Sequence, residues 1–171
     1  GFMVSEHTAE SAGQAGAISS RIDNASSVFY NTAGLSKAKG TQFFLSASAI
    51  LGAGSATSTQ DGAETVVESE HPMGILPALF ASYQLDDSYT LGMGVFNPFG
   101  SSLAWPATTT DGTTSNPQRG LIRELSLKTP TLAFAGAVNL DSVWEGLSVG
   151  AAFDVTMASV YFARDLVLSL I

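Results

Sequence analysis

The sequence predicts an all-β chain whose strands form a transmembrane antiparallel β-barrel, and three observations carry that expectation. Charged residues are 13% of the 171 positions, about half the roughly 25% of a soluble globular protein, while 45% are hydrophobic. No uninterrupted apolar run reaches the ~18–20 residues that a membrane-spanning helix needs. From Thr41 onward the chain alternates with a period of two, which puts one greasy face on each strand.

Residues 1–40 form a separate N-terminal unit in this reading. Gly13, Gly16 and Gly34 interrupt small and polar residues, leaving room for short helical turns at 9–17 and 24–31. Asp23, Asn24, Ser26 and Ser27 supply capping chemistry for the second. Residues 41–171 then hold about five strands of an incomplete barrel. In Thr41–Leu51 the odd positions Phe43, Leu45, Ala47, Ala49 and Leu51 make the apolar face, with Phe44 and Ile50 as exceptions. Residues 74–85 set Ile75, Leu79, Tyr83 and Leu85 against Gly74, Ala78, Ser82 and Gln84. Tyr89–Phe96 sets Leu91, Met93 and Val95 against Thr90, Gly92 and Gly94. Residues 131–140 carry Leu132, Phe134, Val138 and Leu140 in phase, and residues 147–157 alternate most cleanly, from Leu147 to Met157.

The second face of these strands carries small residues and hydroxyls rather than Lys and Glu, Asp154 excepted. A half-exposed sheet on a soluble protein would carry more charge there, so the apolar face is assigned to lipid and the milder one to a lumen. Connections alternate too. Residues 86–88 and 141–146 are short, while 52–73 and 97–130 read as long loops rich in Thr, Ser, Gly and Asp. That is the outer-membrane pattern, with Tyr83, Tyr89 and Trp144 as an aromatic girdle on the short-turn side.

Several functions are excluded on composition. A net charge of −8, with seven scattered basic residues, leaves no phosphate-neutralising face for nucleic acid. Cysteine is absent, so no disulfide, Cys-zinc site or thiol chemistry exists in these residues. His7 and His71 are the only histidines; no Gly-x-Ser-x-Gly elbow accompanies them, and no phosphate loop or metal-ligand spacing appears. His71 beside Glu68 and Glu70 reads as a solvated loop cluster, and Asp61-Gly62 and Asp111-Gly112 read as turn chemistry. Neither enzyme, cofactor nor metal is expected. Residues 1–20 lack the basic start and apolar centre of a signal peptide, so an exported protein is expected to begin after cleavage.

Three segments carry a family resemblance. The first runs through Asp23, Asn24, Phe29 and Tyr30 to Asn31, Thr32, Ala33, Gly34 and Leu35; the second is Gly92-Met93-Gly94-Val95-Phe96-Asn97-Pro98-Phe99-Gly100; the third is Leu147-Ser148-Val149-Gly150-Ala151. In this order they resemble the FadL/TodX family of outer-membrane transporters for long-chain fatty acids and other hydrophobic compounds. Thr32 stands where the family carries proline, so this turn lacks a fixed φ.

The resemblance implies the N-terminal part of a fourteen-stranded FadL-like barrel in the bacterial outer membrane, with the N-terminal hatch inside the lumen. It implies that Phe2, Met3, Phe29, Phe80 and Phe96 contact substrate and that Asn31, Thr32, Ala33, Gly34 and Leu35 form the hatch turn. Gly92, Gly94, Phe96, Pro98, Phe99 and Gly100 would form a lateral gate at the third strand. The implied partners are a fatty acid or hydrocarbon, outer-membrane lipid and the barrel-assembly machinery. Five strands cannot close a barrel without leaving backbone groups unpaired in lipid, so these residues are expected to be part of a longer protein. A non-transporting structural or adhesive barrel is the main alternative, followed by a soluble lipid-binding β-protein and an outer-membrane enzyme.

Overall fold

The computed structural model describes residues 3–60, 63–70, 73–108, 119 and 121–166. The expectations for Phe2, His71, Asp61-Gly62, Asp111-Gly112 and residues 167–171 fall outside them. Among the described residues, no helix is long and apolar enough to cross a membrane.

The strands are β1 (Thr41–Leu51), β2 (Ser55–Gln60), β3 (Ala63–Glu68), β4 (Met73–Gln84), β5 (Tyr89–Phe96), β6 (Gly100–Ala104), β7 (Glu124–Lys128), β8 (Thr131–Asn139), β9 (Ser148–Thr156) and β10 (Ser159–Ala163). Every pairing is antiparallel. A five-stranded sheet runs β1-β4-β5-β8-β9, a three-stranded sheet runs β10-β7-β6, and β2 pairs with β3. These ten pieces are five long strands, each broken once. Across β5/β8, Phe96 faces Thr131; beyond the break, across β6/β7, Gly100 faces Lys128. Thr131 faces Thr156 and Lys128 faces Ser159 on the next pair. The breaks of these three strands therefore lie side by side, dividing this part of the wall into a lower sheet and an upper one, while β1 and β4 stay paired out to Leu51↔Met73 before theirs.

The expected long loops 52–73 and 97–130 need correcting. The first is largely the β2–β3 hairpin, and the second begins with β6 and ends with β7. β2 and β6 are mostly Ser, Thr, Ala and Gly, so no apolar phase marks them, although Thr suits a pleated strand; β7 alternates at Leu125 and Leu127 but over only five residues. The lower sheet follows the expected phase. Phe43, Leu45 and Phe153 point outward at 79%, 79% and 67% exposure, whereas Ala78, Phe80, Ala133 and Ala137 face inward and are buried. Phe44, the exception in β1, turns inward onto the core. The short turns hold themselves. Asp86 Oδ1 accepts from Ser88 N (2.7 Å) and Tyr89 N (2.8 Å), and Gly146, at φ 77°, donates to Asp141 Oδ1 (2.8 Å).

The N-terminal residues fill the inner side of the lower sheet with three short helices: α1 (Ala9–Gly13), α2 (Ser27–Tyr30) and a 3-10 helix (Thr32–Lys37). Thr8 caps α1 by accepting from Ser11 N at 3.1 Å, and Asn24 Oδ1 accepts from Ser26 N at 2.9 Å ahead of α2. The 3-10 helix lies on β8 and β9 while α2 lies on β5 and β8. Glycines in the wall make this fit possible. A methyl group on Gly150 would stand 2.5 Å from Ala33 N, and one on Gly92 would stand 2.6 Å from Val28 Cγ2. Side chains on a barrel wall alternate in and out, so these gaps mark the inner face.

Candidate functional site

The wall parts at the third strand. Between β4 and β5 the ladder runs from Gln84↔Thr90 to Leu79↔Val95. Beyond it, residues 73–78 continue along β1, whereas among the described residues β6 forms its ladder with β7 and not with β4. The two sides meet again at the bridge Glu70↔Ala104, where Glu70 N donates to Ala104 O at 2.9 Å. An opening therefore lies between the first half of β4 and β6. One cause is countable: three residues (97–99) separate β5 from β6, while two (129–130) separate β7 from β8 opposite them. That extra residue acts as a bulge, bending the strand away from its neighbour on β4. Thr129 holds the bend by donating Oγ1 to Phe99 O (2.6 Å) and accepting from Phe99 N (3.0 Å).

A cavity of about 1050 Å³ lies along the row of breaks. Its lining joins Ile75 and Leu76 of β4, Phe99 of the bend, Leu127 of β7, and Val4 from the N-terminus. Met3 pairs with Phe99 as an antiparallel bridge and Val4 N donates to Pro98 O at 2.9 Å. The N-terminal strap thus adds itself to the bent third strand, using backbone groups that β4 leaves free.

Behind the strap sits an aromatic cluster. Phe96 meets Phe29 at 4.9 Å edge-on and stacks on Phe80 at 5.7 Å, and Phe29 meets Tyr30 at 4.8 Å. His7 enters the same cluster, 4.5 Å from Phe29 and 5.6 Å from Phe96, and is 1% exposed. Burial holds its pKa below the usual 6.5, against a weaker opposing pull from Glu6. The Glu6 carboxylate accepts from Ser5 Oγ (2.8 Å) and Ser5 N (3.2 Å), chiefly through the Ser5 hydroxyl, which holds its pKa below 4.5. Ser48 of β1 donates to Glu6 O at 2.5 Å.

Of the expected substrate contacts, Phe29, Phe80 and Phe96 come together, and Met3 lies apart at the opening, 64% exposed. Among the expected gate residues, Phe96, Pro98, Phe99 and Gly100 stand at the bend. Gly92 and Gly94 lie lower and face inward, where Gly94 leaves room for the Phe80 ring. Asn31, Thr32, Ala33, Gly34 and Leu35 form the turn into the 3-10 helix and its first half. Without proline at Thr32, side-chain and steric constraints hold this turn. Asn31 Nδ2 donates to Ser19 O (2.9 Å), Gly34 N donates to Asn31 O (2.8 Å), and a methyl group on Gly34 would meet Ile22 O at 2.5 Å. Sequence reasoning missed Val4 and His7. Val4 carries no signal of its own; His7, inside Ser5-Glu6-His7-Thr8, reads as a polar stretch although Phe29 and Tyr30 are the aromatics that receive it.

Among the described residues no group of three His, Asp or Glu side chains could hold a metal. Asp165, after β10, pairs with Arg119 at 2.5 Å and Arg123 at 3.3 Å, which keeps its carboxyl below the usual range, Arg119 contributing most. This cluster ties the upper sheet together and stands apart from the opening.

Comparisons agree with this architecture. The putative outer membrane protein NMB0088 of Neisseria meningitidis serogroup B is 28% identical over 109 residues, covering 60% of this chain and 23% of that protein. The crystal structure of a Pseudomonas aeruginosa FadL homologue matches with a TM-score of 0.67 at 17% identity, over 96% of this chain and 39% of that one, a likeness of fold. This chain therefore spans well under half the length of either. The family model described as outer membrane protein transport protein (OMPP1/FadL/TodX) matches residues 1–170. With nearly its whole length matched, the chain belongs to the OMPP1/FadL/TodX family of outer-membrane transport proteins.

Proposed function

We propose that the full-length protein takes up long-chain fatty acids or other hydrophobic small molecules through a plugged β-barrel and releases them sideways through the opening between β4 and β6. Residues 1–40 act as the hatch, and the 3-10 helix seated on Gly150 is its fixed base. The observation that carries this reading is the parted wall: a mostly apolar cavity, with Glu70, Glu124 and Lys128 also in its lining, meets the gap at the third strand, and among the described residues the N-terminal strap lies across the bend. The chemistry suits oily cargo. Each methylene moved from water into such a site gains about 0.8 kcal/mol, whereas a water-filled bore gives a hydrocarbon chain nothing. Side exit delivers the solute into lipid without returning it to water. The lower sheet's outward face of Phe, Leu, Val and Met fits the bilayer that receives it.

Proteoliposomes of the full-length protein test the reading. A thiol cross-linker between Ile75→Cys and Ser101→Cys should reduce uptake of a fluorescent long-chain fatty acid to the level of empty liposomes, with recovery on cleavage of the linker. Uptake that is unaffected by the cross-link would remove the side exit. No uptake by the unlinked protein would favour a structural barrel.

A further inference from the structure

His7 is buried, and neither of its ring nitrogens has a hydrogen-bond partner. An imidazole in that state carries an unmet polar cost, tolerable while it is neutral and edge-on to Phe29. Burial disfavours a proton there more strongly than the nearby Glu6 carboxylate and Val4 carbonyl favour one. From β5 it meets Phe96, and from α2 it meets Phe29 and Tyr30. The Tyr30 hydroxyl is already committed, accepting from His7 N (3.0 Å) and donating to Ser5 O (2.8 Å). Glu6 is the one charge acting on it, and that carboxylate is turned to Ser5. Four and three residues before His7, Met3 and Val4 make the pairing to Phe99 and Pro98 that lies across the bend.

We propose that His7 is a proton-sensitive latch: neutral, it seats the Met3–Glu6 strap against the bent third strand; protonated, it leaves the aromatic cluster and frees the strap. The location of the strap gives this latch control of the side opening, a consequence that rests on the transport reading above. The direction follows from linkage. The docked imidazole has a lowered pKa, so the released state binds the proton more readily. Docking is therefore at full strength above about pH 6.5 and weakens as the pH falls below it, until the docked imidazole itself protonates.

The test uses the full-length protein in liposomes, with a spin label on Met3→Cys as its sole cysteine. Between about pH 7.5 and pH 5.5 the ratio of mobile to immobile label should rise up to about tenfold. His7→Phe, which fills the same cage without a titrating group, should remove that rise, and His7→Gln provides the same control where phenylalanine does not seat. Trypsin resistance at Arg21 and Lys37 at the higher pH checks that each variant has its hatch in place. An equal rise in the His7 variants, or a flat ratio in the parent, overturns the latch. Label release with unchanged fatty-acid uptake would instead contradict the side-exit reading, so the two fail separately.

Discussion

The lower sheet and the upper one are made by the same five strands, yet they differ in what fills them. Below the breaks, α2 and the 3-10 helix press onto Gly92 and Gly150, and the wall is continuous from β1 to β9. Above them, β2–β3 and β6–β7–β10 are separate sheets joined, among the described residues, by the bridge at Glu70 and Ala104. The difference teaches that the packed N-terminal segment and the opening are complementary. Strand pairing is unbroken where the N-terminal segment fills the inside, and a gap appears at the bend where only its strap reaches.

Substitutions can break that contrast, and the largest effects belong to the lower sheet. Phe80→Ala empties a fully buried inward position between Phe96 and Gly94 and should cost about 3–5 kcal/mol, read from urea unfolding of the folded protein in detergent. Phe134→Arg, on the outward face of β8, should cost about 2–4 kcal/mol in bilayers, through a charge placed against lipid. Gly150→Leu forces a side chain into the backbone of Thr32 and Ala33; about 1–3 kcal/mol is expected, with new tryptic cleavage at Lys37 as the hatch lifts. In the upper sheet, Thr57→Arg on β2 should change stability by about 0–1 kcal/mol, since its exposed side carries no apolar phase. Equal costs for Phe134→Arg and Thr57→Arg would erase the division between the halves.

The same contrast explains what the sequence disclosed. In the lower sheet, hydrophobic outward residues alternate with Ala, Gly and Ser, so β1 and β5 were legible to the residue, and β4, β8 and β9 nearly so. In the upper sheet Ser, Thr and Ala occupy both faces of β2 and β6, and a period of two without contrast looks like a loop. β10 escaped notice for a different reason: Val160, Tyr161 and Phe162 are consecutive apolar residues, so its five positions show no alternation. At the site, the aromatic residues of β4, β5 and α2 could be named, but their meeting depends on where the N-terminal segment folds back. His7 illustrates the limit, because its burial is decided by rings 22 and 89 positions away.

Photolabelling with a diazirine-bearing long-chain fatty acid, followed by mapping of the adducts on the full-length protein, tests the parted wall most directly. The account predicts adducts at Ile75, Leu76 and Phe99, competed away by unlabelled fatty acid. Adducts confined to the lipid-facing Phe43, Phe134 and Phe153, with none competed at the opening, would contradict it.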